Sequence, residues 1–380
     1  MQEVYITADA IVSPLGFSSE ENIRCITEEQ SAITLHKNTA LLPSHFFAGI
    51  IDEAELNMAF QSLGNPEGYT KLEKMMLLSL QKTILDATVE ISDKTALLIS
   101  TTKGNIETLD PKNPFSEELA YLPALAYRIK SFFGFAQEPI IVSNACVSGI
   151  LAVAVAKQLL QTGCYENVFI VAGDTVSKFT LSGFSAFQAI SDTPCKPYSK
   201  TRNGITLGEA AASVCVTTKK PNGNCIQIIG NGSCNDANHI SGPSRTGEGL
   251  YRSIQSAMKE AEVGATEIDF ISAHGTATTF NDEMEAIAFN RAHLETVPLH
   301  SVKGYYGHTL GASGLLEAIV GFHSMKKNIL YTSLGMDELG VSQPINIIKE
   351  VSQQNVTTFL KTASGFGGCN TAVIFRKIAH

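Results

Sequence analysis

Cys146 is the residue whose type and surroundings point most directly to chemistry. It lies within residues 142–149, Val-Ser-Asn-Ala-Cys-Val-Ser-Gly, after an apolar run and before a long stretch of Ala, Val and Leu. This order predicts a strand, a sharp turn and a buried helix, with the thiol at the helix start. The free N–H groups and the dipole of a helix start can lower a thiol's pKa toward the thiolate, which attacks carbonyl carbons. A buried structural cysteine is the common alternative, so a catalytic role requires partner residues elsewhere.

Two histidines in the second part of the chain are candidates for those partners. His274 follows the apolar run 268–271 and precedes Gly275, whereas His308 follows Gly307 and precedes a Gly/Ala-rich helix start. In open α/β sheets, sites collect beyond the carboxyl ends of the strands. A lone histidine there is usually structural, but two beside glycine, together with a helix-start cysteine, predict a Cys-His-His site.

Three acidic residues follow these histidines on predicted helices. Taken alone, Glu285 is best interpreted as part of a solvated helix face, and a solvated helix face is also the alternative to a functional role for Asp282. Glu317 lies in an apolar helix, so we expect it to pair with a cation, and Lys303 is the obvious candidate. A half-buried Lys–Glu pair would order the site and tune its charge.

A glycine-rich stretch near the end of the chain could supply backbone donors. Residues 364–370 read Ser-Gly-Phe-Gly-Gly-Cys-Asn, with no Lys-Ser/Thr pair after them, which disfavours a phosphate-binding P-loop. Flexible backbone of this kind can bring an N–H group to a developing oxyanion. A tight turn between two strands is the plain alternative.

The elements that must position these residues alternate along the chain. Apolar runs predict strands over 4–7, 96–100, 140–143, 167–172, 211–217, 226–230, 268–273, 359–362 and 371–376. Helical patterns cover 19–27, 69–87, 146–160, 250–261, 282–291 and 312–325. Such alternation predicts an α/β protein with a largely parallel, covered sheet.

A strong turn signal at residues 219–224 divides the chain into two predicted halves. The N-terminal half, 1–220, carries the cysteine, and the C-terminal half, 225–380, carries both histidines. Each half places a Gly/Ala-rich buried helix after a reactive-looking turn, at Cys146 and at Gly311. This arrangement suggests a duplicated architecture.

Composition narrows the class of protein. The net charge of −9 disfavours nucleic acid or an anionic membrane as the main partner. The eight cysteines have no C-x-x-C spacing, so we expect no metal site and reduced thiols. The N-terminus has no basic segment of a signal peptide, and the longest apolar run is too short to span a membrane. We therefore expect a cytoplasmic protein without membrane insertion.

Four motifs in order carry a family resemblance. They are residues 144–149, residues 274–282, Lys303 with Gly307-His308 and Gly311-Ala312, and residues 365–368. With them the sequence resembles the β-ketoacyl-acyl-carrier-protein synthases, the synthase II-like elongating condensing enzymes of the thiolase superfamily. The resemblance implies a thiolase-like α/β fold, in which two duplicated βαβαβαββ halves form a five-layered α-β-α-β-α sandwich.

The resemblance also implies roles for single residues. Cys146 would be the nucleophile, and His274 and His308, with Lys303 beside them, would complete the catalytic set. The N–H groups of Cys146 and Phe366 would form the oxyanion hole. The other implied residues support the site or contact the acyl chain and pantetheine: Glu317, Glu285 and Asp282 in the first group, and Phe184, Thr276, Thr278 and Phe366 in the second.

The implied reaction is a decarboxylating Claisen condensation of an acyl-enzyme with malonyl-acyl carrier protein to a 3-oxoacyl-acyl carrier protein. It requires no cofactor beyond the phosphopantetheine of the acyl carrier protein, which is the implied partner. A homodimer is usual, and a heterodimer with a ketosynthase-like partner is the alternative. Lys71 and Lys74 are candidates for docking the carrier protein, with a solvated helix face as the alternative.

Departures from the family pattern leave the substrate open. Asn144, Ala277, Thr279 and Ser364 stand where Thr, Gly, Pro and Phe are usual, and Tyr305-Tyr306 replaces Met-Thr. They favour a specialised, aryl polyene- or flexirubin-like polyketide pathway as an alternative to fatty acid synthesis. A non-condensing partner resembling a chain-length factor, which usually lacks the nucleophile, is the second hypothesis. A degradative thiolase with Cys369 as its base is the third, and the intact histidine motifs disfavour it.

Overall fold

The computed structural model describes residues 2–87, 89–223, 225–237 and 240–378. Up to residue 217 these form eight strands and six helices: β1 (Tyr5–Val12), α1 (Ser19–Thr27), β2 (Ile33–His36), β3 (Phe46–Gly49), α2 (Glu53–Phe60), α3 (Lys71–Asp86), β4 (Thr95–Ser100), α4 (Leu122–Phe133), β5 (Ile140–Val142), α5 (Ser148–Gln161), β6 (Asn167–Asp174), α6 (Lys178–Ala186), β7 (Leu207–Gly208) and β8 (Ala210–Thr217). The described residues beyond them form eight strands and four helices: β9 (Cys225–Asn235), α7 (Glu248–Ala261), β10 (Phe270–Ser272), α8 (Thr279–Arg291), β11 (Pro298–His300), α9 (Lys303–Tyr306), α10 (Ser313–Lys327), β12 (Ile329–Leu330), β13 (Asn346–Ile347), β14 (Ser352–Gln353), β15 (Thr358–Gly365) and β16 (Cys369–Ile378).

Eleven of these strands are hydrogen-bonded in the order β13-β11-β10-β15-β16-β9-β1-β8-β6-β4-β5. The first part of the chain contributes β5-β4-β6-β8-β1, and the second contributes β11-β10-β15-β16-β9 with β13 added at its outer edge. In each set the strands stand in the same sequence order, third, second, fourth, fifth and first. The two sets meet where β1 pairs with β9 through Tyr5 and Ile6. One topology is therefore used twice.

The sheet is mixed, which corrects the expectation of a largely parallel one. Parallel pairs join β4 to β5 and β6, and β10 to β11 and β15. The strands in the middle are antiparallel, as in β1–β8, β9–β16 and β15–β16. A three-residue turn at 366–368 joins β15 to β16, and strands linked by so short a turn must be antiparallel. The alternation of strand-like and helical segments in the sequence does not reveal which consecutive strands lack a crossover helix between them and are therefore antiparallel.

The helices complete five layers, as the resemblance implied. α5 and α10 pack on each other in the middle, with α5 against β4, β5 and β6 and α10 against β10 and β15. α3 covers the outer face of β1, β6 and β8, and α7 covers β9 and β16. In α10, residues 313–325 are all buried, as expected for a helix that is enclosed on every side.

Two glycines allow the central helices to approach closely. A Cβ at Gly149, in α5, would lie 2.7 Å from the Gly311 carbonyl oxygen. A Cβ at Gly314, in α10, would lie 2.9 Å from the backbone nitrogen of Ile150. Both distances are too short for a real side chain, so the contact between the helix starts depends on glycine. In the described part of the chain, none of the helices has the length and apolar character needed to cross a membrane.

Candidate active site

Cys146 lies on the turn between β5 and α5. The preceding residue, Ala145, has a φ of 45°, which lies in the left-handed region and turns the chain sharply. The Ser148 hydroxyl holds the turn, because it accepts the Asn144 N–H at 2.8 Å and donates to the Ala145 carbonyl at 2.6 Å. Cys146 is 8 % exposed and its side chain lines a pocket.

The expectation that the helix start lowers the thiol's pKa is wrong. Burial raises the pKa of Cys146 to about 12, with a smaller contribution from Cys369 that Lys303 opposes. α5 begins only at Ser148, so the helix-end N–H groups act from two residues further along the chain. Desolvation of the thiolate therefore outweighs the helix dipole, and the resting residue is a thiol.

The structure brings the predicted Cys-His-His set together. The thiol sulfur of Cys146 and a ring nitrogen of each of His274 and His308 all lie within 4.8 Å of one another. The two imidazole rings are 5.2 Å apart, centroid to centroid, at an angle of 83°. Both histidines are buried. The three groups therefore converge on one small volume, although they come from sequence positions up to 162 residues apart.

The backbone and one ring nitrogen of His308 are held by hydrogen bonds. Its N–H donates to the Thr206 carbonyl at 2.7 Å, and its carbonyl accepts the Gly208 N–H at 3.0 Å, which adds it to β7. The Leu310 N–H donates to Nδ1 at 3.1 Å. Because Nδ1 accepts, the neutral ring carries its hydrogen on Nε2.

His274 has the same tautomer for a different reason. Its Nδ1 faces the Lys303 ammonium at 3.2 Å, which is a donor only, so the ring hydrogen is again on Nε2. Lys303 Nζ also donates to the His274 carbonyl at 2.5 Å. Burial lowers the pKa of both histidines well below the usual value, and the positive charge of Lys303 lowers them further. Both imidazoles are neutral donors at pH 7.

The expected ion pair between Lys303 and Glu317 is present and fully buried. Lys303 Nζ lies 2.5 Å from Glu317 Oε1, and the Ser313 hydroxyl donates to the same oxygen at 2.9 Å. The other carboxylate oxygen pairs with Lys361 at 2.6 Å, a residue that the sequence analysis missed. A single lysine within the apolar run of the predicted strand 359–362 was the available signal.

Glu285 and Asp282 are buried behind His274, so the interpretation of Glu285 as a solvated residue is wrong. Glu285 accepts the N–H groups of His274 at 2.8 Å and of Gly275 at 2.7 Å. Asp282 accepts the Thr276 N–H at 3.0 Å. Burial and the neighbouring Glu285 raise the pKa of Asp282 to about 7. These carboxyls fix the backbone of the histidine and of the two residues that follow it.

The glycine-rich turn lies directly against the cysteine. A Cβ at Gly365 would be 3.0 Å from the Cys146 backbone nitrogen, so the glycine lies in close contact with the backbone of the cysteine. Phe366 follows and is 38 % exposed, with its ring 5.6 Å from Phe184 and 5.7 Å from Phe187. The turn therefore places backbone donors and a phenyl ring next to the thiol.

A pocket of about 370 Å³ opens from these groups. Its lining includes an aromatic cluster of Phe184, Phe187 and Phe366, of which Phe187 was not predicted from the sequence. The polar lining residues include Asn203, Asp236, Thr276, Thr278, Asn281, Ser364 and Asn370. Lys303, Glu317, Glu285 and Asp282 stand behind the pocket wall rather than in it. The predicted site residues therefore fall into two groups, those that line the pocket and can touch a substrate, and those behind the lining that support the first group.

The three converging donors could also be considered as metal ligands. A metal-binding histidine usually donates its other ring N–H to a carboxylate or a carbonyl. In this site the Nδ1 atoms of His274 and His308 face donors, which puts hydrogen on both Nε2 atoms. The arrangement fits two N–H groups that bind an oxygen atom better than it fits a metal ion.

The two lysines considered for carrier-protein docking do not form an exposed patch. Lys74 is 4 % exposed and donates to the Asn57 side chain at 2.6 Å. Lys71 forms an ion pair with the buried Glu209. Both lie on one helix, but Lys74 packs against α2, and the ammonium group of Lys71 is taken up by Glu209 and the Ile51 carbonyl.

Comparisons with known proteins place the chain in a family. Residues 1–222 match the family model for the Beta-ketoacyl synthase, N-terminal domain, and residues 226–337 match that for the C-terminal domain. The 3-oxoacyl-[acyl-carrier-protein] synthase 2 of Rhizobium meliloti is 35% identical over 255 residues, which cover 62% of this chain and 60% of that protein. The enzyme of the same name from Vibrio harveyi is 26% identical and aligns over 100% of this chain and 99% of its own length.

A solved structure shows the same fold. The ketosynthase ApeO, in complex with its chain length factor ApeC from Xenorhabdus doucetiae, superposes with a TM-score of 0.87 at 22% identity. The superposition covers 99% of this chain and 98% of that one. The thiolase-like fold, the converging Cys-His-His set and the family-model match over more than half of the chain agree. The chain belongs to the β-ketoacyl synthases, a family of condensing acyltransferases.

Proposed function

We propose that this synthase condenses an acyl group held on Cys146 with malonyl-acyl carrier protein and releases carbon dioxide. The observation that carries the proposal is the convergence of one buried thiol and a ring nitrogen of each of two buried histidines within 4.8 Å at the pocket. A nucleophile beside two fixed donors suits a reaction that forms a thioester and then an enolate.

The first half-reaction is acyl transfer. The Cys146 sulfur attacks the carbonyl of an acyl thioester on the carrier protein, and the bond to the pantetheine sulfur breaks. The raised pKa of Cys146 means that its proton leaves during this attack, and the departing pantetheine thiolate takes up one proton. The N–H groups of Cys146 and Phe366 are proposed to bind the oxyanion, as the contact of the glycine-rich turn with Cys146 supports.

The second half-reaction is decarboxylation and condensation. The Nε2–H groups of His274 and His308 donate to the malonyl thioester oxygen, the bond to the carboxylate breaks, and carbon dioxide leaves an enolate. The enolate carbon attacks the thioester on Cys146, whose thiolate leaves and takes up a proton from solvent. Neutral imidazoles are required because an imidazolium would give its more acidic proton to the enolate.

The polar lining residues of the pocket support a role for it in binding pantetheine. The hydroxyls of Thr276 and Thr278 are 2.9 Å apart and both residues line the pocket. An arm that carries amide groups finds donors and acceptors there. We propose that the reaction needs no metal and no cofactor beyond this arm. We also place it in the cytoplasm, because the eight cysteines are free and such thiols stay reduced there.

The aromatic cluster of the lining supports a specialised acyl chain. The rings of Phe184 and Phe187 both contact Phe366, so three phenyl groups line one part of the pocket. Aromatic walls favour flat, conjugated groups, which stack on phenyl rings, over flexible saturated chains. We therefore propose an aryl polyene- or flexirubin-like polyketide substrate, with ordinary fatty acid synthesis as the alternative.

We propose that the protein works as a dimer. β5 ends the eleven-stranded sheet with three residues, and its Ile140 and Ile141 are only half-buried. On the neighbouring α4, Tyr127 is 61 % exposed, and Tyr121 just before it is 70 % exposed. An open strand edge beside exposed aromatic rings suits a second subunit. A second copy is our proposal, and a ketosynthase-like partner is the alternative that the complex of ApeO with ApeC supports.

Intact-protein mass spectrometry with a panel of acyl-carrier-protein thioesters tests the function. We expect an acyl adduct on Cys146, more with conjugated or aryl chains than with saturated ones of equal length, and turnover when malonyl-acyl carrier protein is added. The absence of any adduct would favour the chain-length-factor-like role instead. Equal labelling of Cys146 by all acyl chains would contradict the specialised substrate and favour ordinary fatty acid synthesis.

A further inference from the structure

Lys361 is a buried cation that the proposed reaction does not use. It lies on β15 with 0 % exposure, and its Nζ is 2.6 Å from Glu317 Oε2. Its nitrogen also donates to three carbonyl oxygens, those of Ser272 at 3.1 Å, Ala273 at 3.4 Å and Thr362 at 2.5 Å. Burial of an ammonium group is tolerated only where such partners replace water, and here they do.

The partners of Lys361 lead to His274 by two routes. Ser272 and Ala273 directly precede His274, so the ammonium group ties the end of β10 to β15. By the second route, Glu317 forms ion pairs with both lysines, through Oε2 with Lys361 at 2.6 Å and through Oε1 with Lys303 at 2.5 Å. Lys303 Nζ in turn lies 3.2 Å from His274 Nδ1. One lysine thus supports both the backbone and the ring of this histidine.

We propose that Lys361 is a positioning residue of the condensing site, which holds Glu317, Lys303 and the end of β10 so that His274 directs its Nε2–H at the malonyl thioester oxygen. This inference rests on the condensing function proposed above. Without Lys361, Glu317 Oε2 loses its cation and the pair with Lys303 is free to shift. A donor displaced by a fraction of an ångström loses much of its effect on a developing charge.

The charge of Lys361 has a second consequence. Lys361 adds a second ammonium group to the ion pair of Lys303 and Glu317, and its positive charge lowers the pKa of both imidazoles. The titratable groups around His274 and His308 are Cys146, Asp282, Glu285, Lys303, Glu317 and Lys361. A positive neighbour opposes protonation of an imidazole, so its removal lets the histidines protonate at a higher pH.

The test compares Lys361→Met with a matched control, Lys157→Met. Lys157 is also buried, at 2 % exposure, and is ion-paired with Glu260 at 2.6 Å, but it lies on α5 away from the pocket. For Lys361→Met we expect acylation of Cys146 within about twofold of wild type and a ten- to hundredfold lower kcat for malonyl decarboxylation, roughly the effect of a misplaced oxyanion donor. KM should not change, and the acid limb of the pH profile should move to higher pH. Lys157→Met should leave the pH profile unchanged.

Two further measurements keep the inference open to refutation. Lys361→Arg retains the charge, so it should restore the acid limb to the wild-type position. Nitrogen NMR of labelled histidines should show His274 in the wild type as the Nε2–H tautomer, whether or not the protein condenses malonyl groups. Wild-type kcat and an unmoved acid limb in Lys361→Met, or an Nδ1–H tautomer of His274, would overturn the proposal. Absence of acylation in the wild type would instead contradict the condensing function.

Discussion

The starts of α5 and α10 are one structural element built twice, and they differ in chemistry. Residues 145–149, Ala-Cys-Val-Ser-Gly, lead into α5, and residues 310–314, Leu-Gly-Ala-Ser-Gly, lead into α10. The first residue of each has a left-handed φ, 45° at Ala145 and 52° at Leu310. The last glycine of each is pressed against the other element. The repeated turn therefore brings the two helix starts face to face.

The second position decides what each turn does. In the turn that leads into α5, the second position is Cys146, whose side chain lines the pocket. In the turn that leads into α10, the second position is Gly311. A Cβ there would lie 2.7 Å from Asp174 Oδ2, and the Gly311 N–H donates to the same oxygen at 2.7 Å. The second turn has no room for a nucleophile and instead presents His308, three residues earlier. A duplicated scaffold thus becomes an asymmetric site through the choice of one residue.

Replacing Cys146 by alanine should have the largest effect, because it removes what distinguishes the first turn. We expect condensation to fall at least about a thousandfold and the acyl adduct to disappear. Mass spectrometry and product assays measure both. The buried Cys215→Ala on β8 is the control and should keep the adduct. An adduct that persists in Cys146→Ala would show that another residue is the nucleophile.

The pH dependence of thiol alkylation tests whether the first turn activates its cysteine at rest. Since the pKa of Cys146 is raised to about 12, its thiolate fraction should rise about tenfold per pH unit from pH 7 to pH 10. Peptide mass spectrometry after brief exposure to iodoacetamide measures the rate, with the exposed Cys164 as an internal reference for the reagent. A plateau below pH 9 would show that the helix dipole outweighs burial after all.

Alanine at either interlocking glycine should separate the two turns. We expect Gly149→Ala and Gly314→Ala to cost about 1–3 kcal/mol of unfolding free energy and to slow condensation about a hundredfold, because Cys146 and His308 move apart. Denaturant titration and kinetics measure the two effects. Gly183→Ala on α6 is the control, since nothing lies within 4 Å of its Cβ position. Similar losses in all three variants would mean that helix contact is not the cause.

Relief of the left-handed turn should have the smallest effect. Ala145→Gly removes a Cβ that disfavours a φ of 45°, and it should raise the unfolding free energy by about 0.5–1 kcal/mol. The test is cleaner here than at Leu310, whose buried side chain packs in an apolar cluster. Denaturant titration checks the sign. A loss of stability would indicate that the Ala145 methyl group makes contacts that matter more than the backbone strain.

The sequence predicted the reactive residues better than it predicted their supports. Cys146, His274 and His308 were found because each stands beside small residues at the end of an apolar run. The pair of Lys303 and Glu317 was found because a charge in an apolar helix needs a partner. Lys361 was missed, and Glu285 was misinterpreted, because a single charge on a strand or helix does not show which face it occupies.

By itself, the sequence determined the strand–turn–helix units, the two halves' similar patterns and the identity of the cysteine and the two histidines that converge at the pocket. Those features are local, since they follow from apolar periodicity, glycine and the residue that each turn carries. Only the tertiary structure decided the antiparallel centre of the sheet, the protonated state of Cys146, the tautomers of the histidines and the partners of Lys361. Each of these depends on desolvation or on contacts between elements, and both arise only when the chain packs into its tertiary structure.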